Sequence, residues 1–267
     1  MSRALRTAAT GMVAQQLNID NISNNLSNVN TTGFKRSKAE FQDLLYQTIR
    51  TAGTSAAQGA QVPVEIQIGY GTRLVATQRN FTQGQVTATN NPLDIAIENE
   101  GINGDGFFQI TLPDGTVAYS RDGAFKLSSD GQVVTSDGFA MEPPVSISQD
   151  AVSINISADG NVEVLQSGAT TAANVGQIEL AKFINPAGLR SIGRNLYLET
   201  DASGPPITGQ PNSEGFGRIS QGFLELSNVS VVDELVNMIM AQRTYEVNAR
   251  AIRTSDEMMR EGNNIVG

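Results

Sequence analysis

The sequence predicts an α+β protein in which helices at the two ends of the chain pair with each other and an all-β body is inserted between them. Two observations support this fold class. Apolar residues recur every seven positions at both ends, and a seven-residue spacing places side chains on one face of a helix. Asp-Gly pairs punctuate the middle, where they favour tight turns between strands.

The first helix is predicted over residues 3–28. Gly11 and several Asn residues lower its intrinsic stability, so we expect it to form mainly through packing. Gly33 is expected to adopt the left-handed conformation beyond the end of the helix. The apolar stripe consists of Leu5, Met12, Ile19 and Leu26, with Ile22 and Val29 on the adjoining row.

The segment that follows carries three predictions. A short second helix is predicted around Phe41, Leu44 and Leu45. Residues 46–63 are rich in Ala, Gly, Ser, Thr and Gln, which is typical of a loop with little to bury. Residues 62–79 alternate between apolar and polar side chains, as an extended chain does.

From about residue 90 the chain reads as short strands joined by turns. Further strands are predicted over residues 153–165 and 176–183, and residues 185–222 are Gly/Pro-rich loop with short strands. Asp-Gly pairs, which tolerate the positive φ angles of hairpin turns, occur at 114–115, 122–123, 130–131, 137–138 and 159–160.

The final helix is predicted to begin near Ser230, where Ser-Val-Val-Asp resembles a capping box with Asp233 at its third position. It is expected to end at Gly262-Asn263-Asn264. Its apolar stripe consists of Val231, Met238, Tyr245, Ile252 and Met259, with Leu235 and Ala249 alongside.

Composition excludes several kinds of chemistry. Without Cys there are no disulfides or thiolate metal sites, and without His the commonest proton-transfer group is missing. Residues 51–227 carry a net charge of −10, which argues against binding nucleic acid. The acidic turns lack the calcium-loop pattern. We therefore predict no catalytic residues, no cofactor and no metal site.

The apolar stripes show that each terminal helix needs a partner, but they do not identify that partner. A narrow apolar stripe cannot bury itself, so the two helices either pair within one chain or also associate with other copies. Two other classes of protein are alternatives at this point: a secreted β-rich adhesin with a helical stalk, and a Ser–Lys or carboxylate-pair enzyme. With 5 Tyr, 10 Phe and no Trp, the chain offers few aromatic residues for an adhesin site.

Residues 21–36 resemble the N-terminal signature of the flagellar rod and hook proteins, and residues 227–236 and 242–249 resemble its C-terminal partner. Within that family the distal rod proteins are the nearest, through residues 41–50, 68–73, 112–115, 119–123 and 191–197. Residues 97–106 form a longer loop than the family usually has. The signature residues are Asn24, Asn25, Leu26, Asn28, Gly33, Phe34 and Lys35.

The resemblance also gives residues 46–63 a role, because they align with a segment that separates distal rod proteins from hook proteins and is thought to keep the rod straight. Proximal rod and hook subunits of the same family are the alternatives. The residues singled out in this rod-straightening segment are Tyr46, Arg50, Gly53, Gly59 and Pro63.

The resemblance implies a structural subunit of a straight, hollow helical tube that transmits motor torque to the hook and passes exported proteins. The implied partners are other copies of the chain, proximal rod proteins, the hook protein, the P- and L-ring bushing proteins and the type III export apparatus, with neither nucleic acid nor membrane insertion. The implied location is the periplasm-spanning rod of the basal body, reached without a cleaved signal peptide.

The resemblance further implies three regions. Residues 1–30 and 228–267 would form a coiled-coil domain that lines the channel. Residues 31–90 and 185–227 would connect it, with an extended hairpin over 46–80, to an outer β domain over 91–184.

Overall fold

A computed structural model describes residues 3–52, 55–57, 60–61, 63–99, 106–169 and 171–266. The chain forms two compact units. The helix–hairpin unit comprises Met1–Ser27, Ser37–Gln78 and Ser230–Gly267. The β unit comprises Asn28–Arg36 and Arg79–Val229. The α+β class is confirmed, whereas the coiled-coil form of the helix pair stays a prediction.

Helices α1 (Arg3–Ser27) and α2 (Val231–Val266) pack together in the helix–hairpin unit. The predicted cap of α2 is confirmed, because Ser230 Oγ accepts a hydrogen bond from the Asp233 backbone N–H at 3.4 Å. The predicted end of α2 at Gly262 is wrong, since the helix continues to Val266. Gly and Asn weaken a helix by about 1 kcal/mol or less per residue and do not by themselves stop it.

Six strands between the helices form nested pairs of a long hairpin: β1 pairs with β6, β2 with β5 and β3 with β4. Their bounds are β1 Ser37–Asp43, β2 Tyr46–Arg50, β3 Ser55–Ala57, β4 Ala60–Gln61, β5 Ile66–Gly69 and β6 Thr72–Arg79.

This hairpin corrects two predictions. The short helix around Phe41, Leu44 and Leu45 does not form, because cross-strand hydrogen bonds take up the backbone there: Leu44 N–H donates to the Gly71 carbonyl at 2.8 Å and Tyr70 N–H to the Leu45 carbonyl at 3.2 Å. The first part of the predicted loop, Tyr46–Arg50, is a strand because it pairs antiparallel with β5. Tertiary pairing overrides local propensity in both places.

The β unit contains sixteen strands and one short 3₁₀-helix at Pro186–Gly188 among its described residues. The strands are β7 Val86–Ala88, β8 Ile95–Glu98, β9 Phe107–Thr111, β10 Val117–Ser120, β11 Lys126–Leu127, β12 Val133–Val134, β13 Ala140–Glu142, β14 Ala151–Ile156, β15 Asn161–Gln166, β16 Ala173–Gln177, β17 Leu180–Lys182, β18 Arg190–Gly193, β19 Leu196–Leu198, β20 Ile207–Gly209, β21 Arg218–Gln221 and β22 Phe223–Glu225.

A nine-stranded sheet dominates this unit, with the order β11-β12-β13-β9-β10-β19-β18 and with β17 joining β9 to β20. A three-stranded sheet (β14-β15-β16) and the pairs β21-β8 and β22-β7 complete it. Strand β9 therefore lies at the centre, and all five of its residues from Phe107 to Thr111 are buried or half-buried.

Four of the five Asp-Gly pairs form the predicted turns: Gly115, Gly131, Gly138 and Gly160 have φ between 79° and 85°. The prediction for Asp122-Gly123 is wrong. A Cβ on Gly123 would lie 1.6 Å from the Ile95 carbonyl oxygen. This glycine therefore serves a close backbone approach, at which Ile95 N–H donates to the Gly123 carbonyl at 3.1 Å.

The β unit has two hydrophobic clusters. The larger is mainly aliphatic and includes Ile95, Ile110 and Leu180. The smaller is aromatic, with Phe107 and Phe183 packed edge to face at a centroid distance of 5.9 Å. Burial of these side chains is the main source of the unit's stability.

Candidate assembly interface

The seam between α1 and α2 is lined by small and polar side chains rather than by large apolar ones. A Cβ on Gly11 would lie 2.8 Å from Asn248 Nδ2, and Asn25 Nδ2 lies 3.5 Å from Glu234 Oε2. These two contacts run in opposite directions along the two helices, so the pair is antiparallel. Ala241 is buried between them on α2.

The predicted α1 stripe lies beside this seam. Ile22 is buried, while Leu5, Met12, Ile19, Leu26 and Val29 are half-buried; Val29 follows the end of the helix and belongs to the β unit. Small residues at the point of closest contact leave these larger side chains at the flanks.

The predicted α2 stripe is more open. Met238, Ala249 and Ile252 are half-buried, whereas Val231, Leu235, Tyr245 and Met259 are exposed. All of these positions remain predicted subunit-interface residues, and in the single chain they keep apolar surface to offer to a neighbour.

Helix α2 carries a second apolar row, which we call the outer row. It lies on the face opposite Glu234 and Ala241, as the 3.6-residue period requires. The exposed fraction of its side chains runs from 50% to 70%. A helix that is packed against its partner on one face and exposes apolar side chains on the opposite face has surface available for a further partner. The outer row consists of Val232, Val236, Ile239, Met240 and Val247.

The long hairpin, like the outer row of α2, has many exposed apolar side chains. Leu45 is 85% exposed, and Tyr46 beside it is also exposed. A hydrogen bond to the Asp43 carboxylate, reinforced by its charge, raises the pKa of the Tyr46 phenol. Other exposed apolar residues of the hairpin are Phe41, Ile49, Val64, Ile66, Ile68 and Val75.

Of the rod-straightening residues, Tyr46 and Arg50 begin and end strand β2 and are exposed, as is Pro63. Gly53 and Gly59 lie outside the described residues, as does most of the lengthened loop, residues 100–105.

The signature residue Lys35 belongs to a buried charge cluster in the β unit. Its Nζ donates to Glu225 Oε1 at 2.5 Å and to the Thr82 carbonyl at 2.8 Å. Arg121 Nη1 lies 3.6 Å from the other carboxylate oxygen of Glu225, and all three side chains are almost fully buried. The cluster joins the N-terminal signature to strand β22, so the two sequence-distant segments order together.

The other signature residues differ in burial and in the contacts that they make. Gly33 has φ +65°, as predicted, and its N–H donates to the Glu225 carbonyl at 2.8 Å. Phe34 is buried, with the Arg79 guanidinium 5.9 Å from its ring centroid. Asn28 is half-buried, and Asn24 is exposed on α1.

Sequence reasoning missed the acidic partners of the signature. Glu225 ends the short strand Phe223–Glu225, and Glu234 lies in the first turn of α2 beside Asp233, where a carboxylate suits the positive end of the helix dipole. Nothing in spacing or composition distinguishes them from solvent-exposed carboxylates. The net charge of +3 over residues 1–50 is compatible with an acidic partner elsewhere in the chain, but it identifies neither residue.

Among the described residues, no group of His, Cys, Asp and Glu is placed to hold a metal ion. Within the same part of the chain, neither helix has the length and apolar content required to cross a membrane.

Comparison with known families covers most of the chain. Residues 5–35 match the family described as flagella basal body rod protein. Residues 101–164 match the flagellar hook protein FlgE/F/G D1 domain, and residues 220–265 match the flagellar basal body rod FlgEFG protein C-terminal region.

Individual relatives agree with these matches over nearly their full length. The flagellar basal-body rod protein FlgG of Borreliella burgdorferi is 52% identical over 99% of both chains. FlgG of Caulobacter vibrioides is 48% identical over 96% of this chain and 97% of its own, and that of Bacillus subtilis is 40% identical over 98% of each. The chain therefore belongs to the FlgG family of flagellar basal-body rod proteins, and it is a structural subunit of the flagellar distal rod rather than an enzyme.

Proposed function

We propose that copies of this chain polymerise, through the helix–hairpin unit, into a straight hollow tube that transmits torque from the motor to the hook and passes exported proteins. The observation that carries the proposal is the outer row of α2. Its apolar side chains are at least half exposed although the opposite face of the helix is already packed against α1.

The energetics favour covering this surface. Burial of apolar area contributes about 25 cal/mol per Å², so each fully covered Val, Ile or Met side chain contributes about 1.5–3 kcal/mol. Contiguous exposed patches of this kind are characteristic of interaction sites. The predicted stripe residues beside the seam, such as Leu235 and Tyr245, extend the same surface around the helix.

The geometry required is that of an open assembly. An interface between two different surfaces of the same chain continues indefinitely when its rotation does not close, and the product is a helical filament. In this arrangement we assign residues 1–30 and 228–267 to the lining of the channel as a coiled-coil domain. Residues 31–90 and 185–227 connect it to an outer β domain over 91–184.

We assign the long hairpin a second contact between subunits. Leu45, which lies between β1 and β2, is 85% exposed, and Ile49 on β2 and Ile66 on β5 are 54% and 48% exposed. Contacts at a distance from the helices would resist bending, which supports the straightening role of residues 46–63, with Tyr46, Arg50, Gly53, Gly59 and Pro63 as its residues.

The proposed partners beyond other copies are proximal rod proteins below, the hook protein above, the P- and L-ring bushing proteins around the tube and the type III export apparatus that delivers the subunit. The proposed location is the part of the basal-body rod that spans the periplasm, reached without cleavage of a signal peptide. Membership of the rod family supports these assignments.

Electron microscopy of purified chain, concentrated until it assembles, tests the proposal. We expect straight, hollow tubes. Closed rings or amorphous aggregates from a chain with native circular dichroism would contradict it.

A deletion tests the role of the hairpin. One variant lacks residues 46–63, and in a second variant a Gly/Ser chain of equal length replaces them. We expect curved polymers from both, because both lose the apolar contacts of this segment. Straight tubes from either variant would refute the assigned role, and the full-length chain assembled alongside is the control.

A further inference from the structure

A buried polar layer closes one end of the seam between the two helices. Asn25 Nδ2 donates to Glu234 Oε2 at 3.5 Å and to the Ser37 carbonyl at 2.8 Å. Asn25 Oδ1 accepts from the Ser37 backbone N–H at 3.0 Å. Asn25 and Glu234 are each 1% exposed, so both polar groups have left water and need polar partners inside the protein.

The same layer fixes the start of strand β1. Asn21 Nδ2 donates to the Ser37 carbonyl at 2.9 Å, and Ser37 Oγ donates back to Asn21 Oδ1. The layer thus joins α1, α2 and β1: Asn21, Asn25 and Ser37 each make more than one hydrogen bond, and Glu234 accepts from Asn25.

A second contact lies two heptads away on both helices. Gly11 precedes Asn25 by fourteen residues, and Asn248 follows Glu234 by fourteen. A Cβ at position 11 would lie 2.8 Å from Asn248 Nδ2, so the helices approach closely there. Both contacts therefore belong to one antiparallel register.

The apolar side chains flanking the seam cannot set this register. Leu, Met and Ile recur every seven residues, and a slip by one turn or one heptad brings similar side chains together. A slip of one turn or one heptad could bring Asn21 or Asn18 opposite Glu234, but Thr7 or Ala4 would then replace Gly11 opposite Asn248, and their Cβ would meet the Asn248 side chain. Single buried polar residues select register in helix pairs in this way, at some loss of stability.

We propose that the Asn25–Glu234–Ser37 layer, with the close approach of Gly11 to Asn248, is a register lock for the terminal helices. It determines which residues of α1 stand opposite which residues of α2, because a slip of one turn or one heptad keeps the same helix faces in the seam and changes only their axial pairing. The inference concerns the fold of one chain and does not depend on the proposed polymer.

A distance measurement tests the lock. The chain has no Cys, so Gln16→Cys and Thr254→Cys, both at exposed positions on opposite helices, give the only two thiols for spin labels. Each residue of slip changes the axial separation of the labels by about 1.5 Å, so one turn shifts it by about 5 Å. Distances are recorded by pulsed electron paramagnetic resonance on the full-length chain, free and diluted tenfold into unlabelled polymer.

Three substitutions are compared in this background. Glu234→Gln keeps the shape and an acceptor oxygen, and we expect the single wild-type distance. Glu234→Leu removes the acceptor, and we expect a shifted or broadened distribution while the helical circular dichroism is retained. Glu246→Leu, the same change at an exposed position of α2, is the control and should leave the distance unchanged.

The double variant Asn25→Leu/Glu234→Leu covers the case in which Glu234→Leu alone unfolds, because it replaces the layer with a packed apolar pair. A helical Glu234→Leu or double variant that keeps the wild-type distance would overturn the proposal. So would a wild-type chain that shows no single distance in either state.

Discussion

Two cations share one buried carboxylate where Lys35 and Arg121 meet Glu225. Glu225→Gln leaves both cations buried without it, and we expect the β unit to lose about 3–5 kcal/mol of unfolding free energy. Lys35→Met should cost less, because Arg121 and the Gly84 N–H, 2.7 Å from Oε1, still face the carboxylate.

Urea unfolding followed by circular dichroism measures both variants. Glu98→Gln is the matched control, because its partner Arg218 lies 2.6 Å away in a pair whose side chains are 44% and 24% exposed, and its loss should cost below about 1 kcal/mol. A Glu225→Gln loss no larger than that of the control would show that the cluster contributes nothing specific.

Gly33 combines positive φ with a crowded neighbourhood, since an added Cβ would lie 2.6 Å from the Asp122 backbone nitrogen. Gly115 has φ +82° and nothing within 4 Å. Gly33→Ala should therefore destabilise the chain by more than the about 1–2 kcal/mol of left-handed strain expected for Gly115→Ala. Thermal unfolding measures the destabilisation of both variants, and the difference between them is the steric contribution of the added Cβ at position 33. Equal destabilisation of the two variants would contradict this contribution.

At the scale of the element, the outer row gives a prediction for α2. Met240→Asp places a charge on an exposed apolar face, so we expect little change in the stability of the free chain, within about 0.5 kcal/mol, but at least a tenfold rise in the concentration needed for assembly. Ile184→Asp makes the same kind of change at an 80% exposed apolar position of the β unit and is the control. Sedimentation of polymer against subunit concentration measures both, and equal shifts would contradict a specific role for the row.

The helices and turns could be predicted from the sequence, whereas a strand with a distant partner could not. Heptad spacing and the Ser230 cap predicted both helices, and Asp-Gly pairs predicted four turns, because these signals are local. The short helix predicted around Phe41, Leu44 and Leu45 does not form, because the strand Ser37–Asp43 pairs with β6 (Thr72–Arg79), a distant partner that local signals do not reveal. The residues that line the seam between α1 and α2 could not be predicted either, because their partners are also distant in sequence. From the sequence alone, Gly11 and Asn25 are only weak helix formers. Their role becomes clear once Asn248 and Glu234 lie opposite them.

At the scale of the whole molecule, the two units differ in how many of their apolar side chains are buried, and this difference indicates different roles. The β unit buries its apolar residues in its own clusters, whereas the helix–hairpin unit leaves most of its large apolar side chains exposed. The first pattern is that of a self-sufficient domain and the second that of an assembly surface. A subunit built this way is expected to hold its β unit folded before assembly and to gain most of its added burial through the helices and the hairpin.

The most direct test is the accessibility of the outer row in the polymer. Val236→Cys supplies the only thiol in the chain, and its reaction with a maleimide is timed in the free subunit and in assembled tubes. If α2 contacts a neighbouring subunit through this row, labelling should be at least tenfold slower in the tubes. Equal rates in tubes and free subunit would show that the row stays exposed and that the helices do not assemble through it.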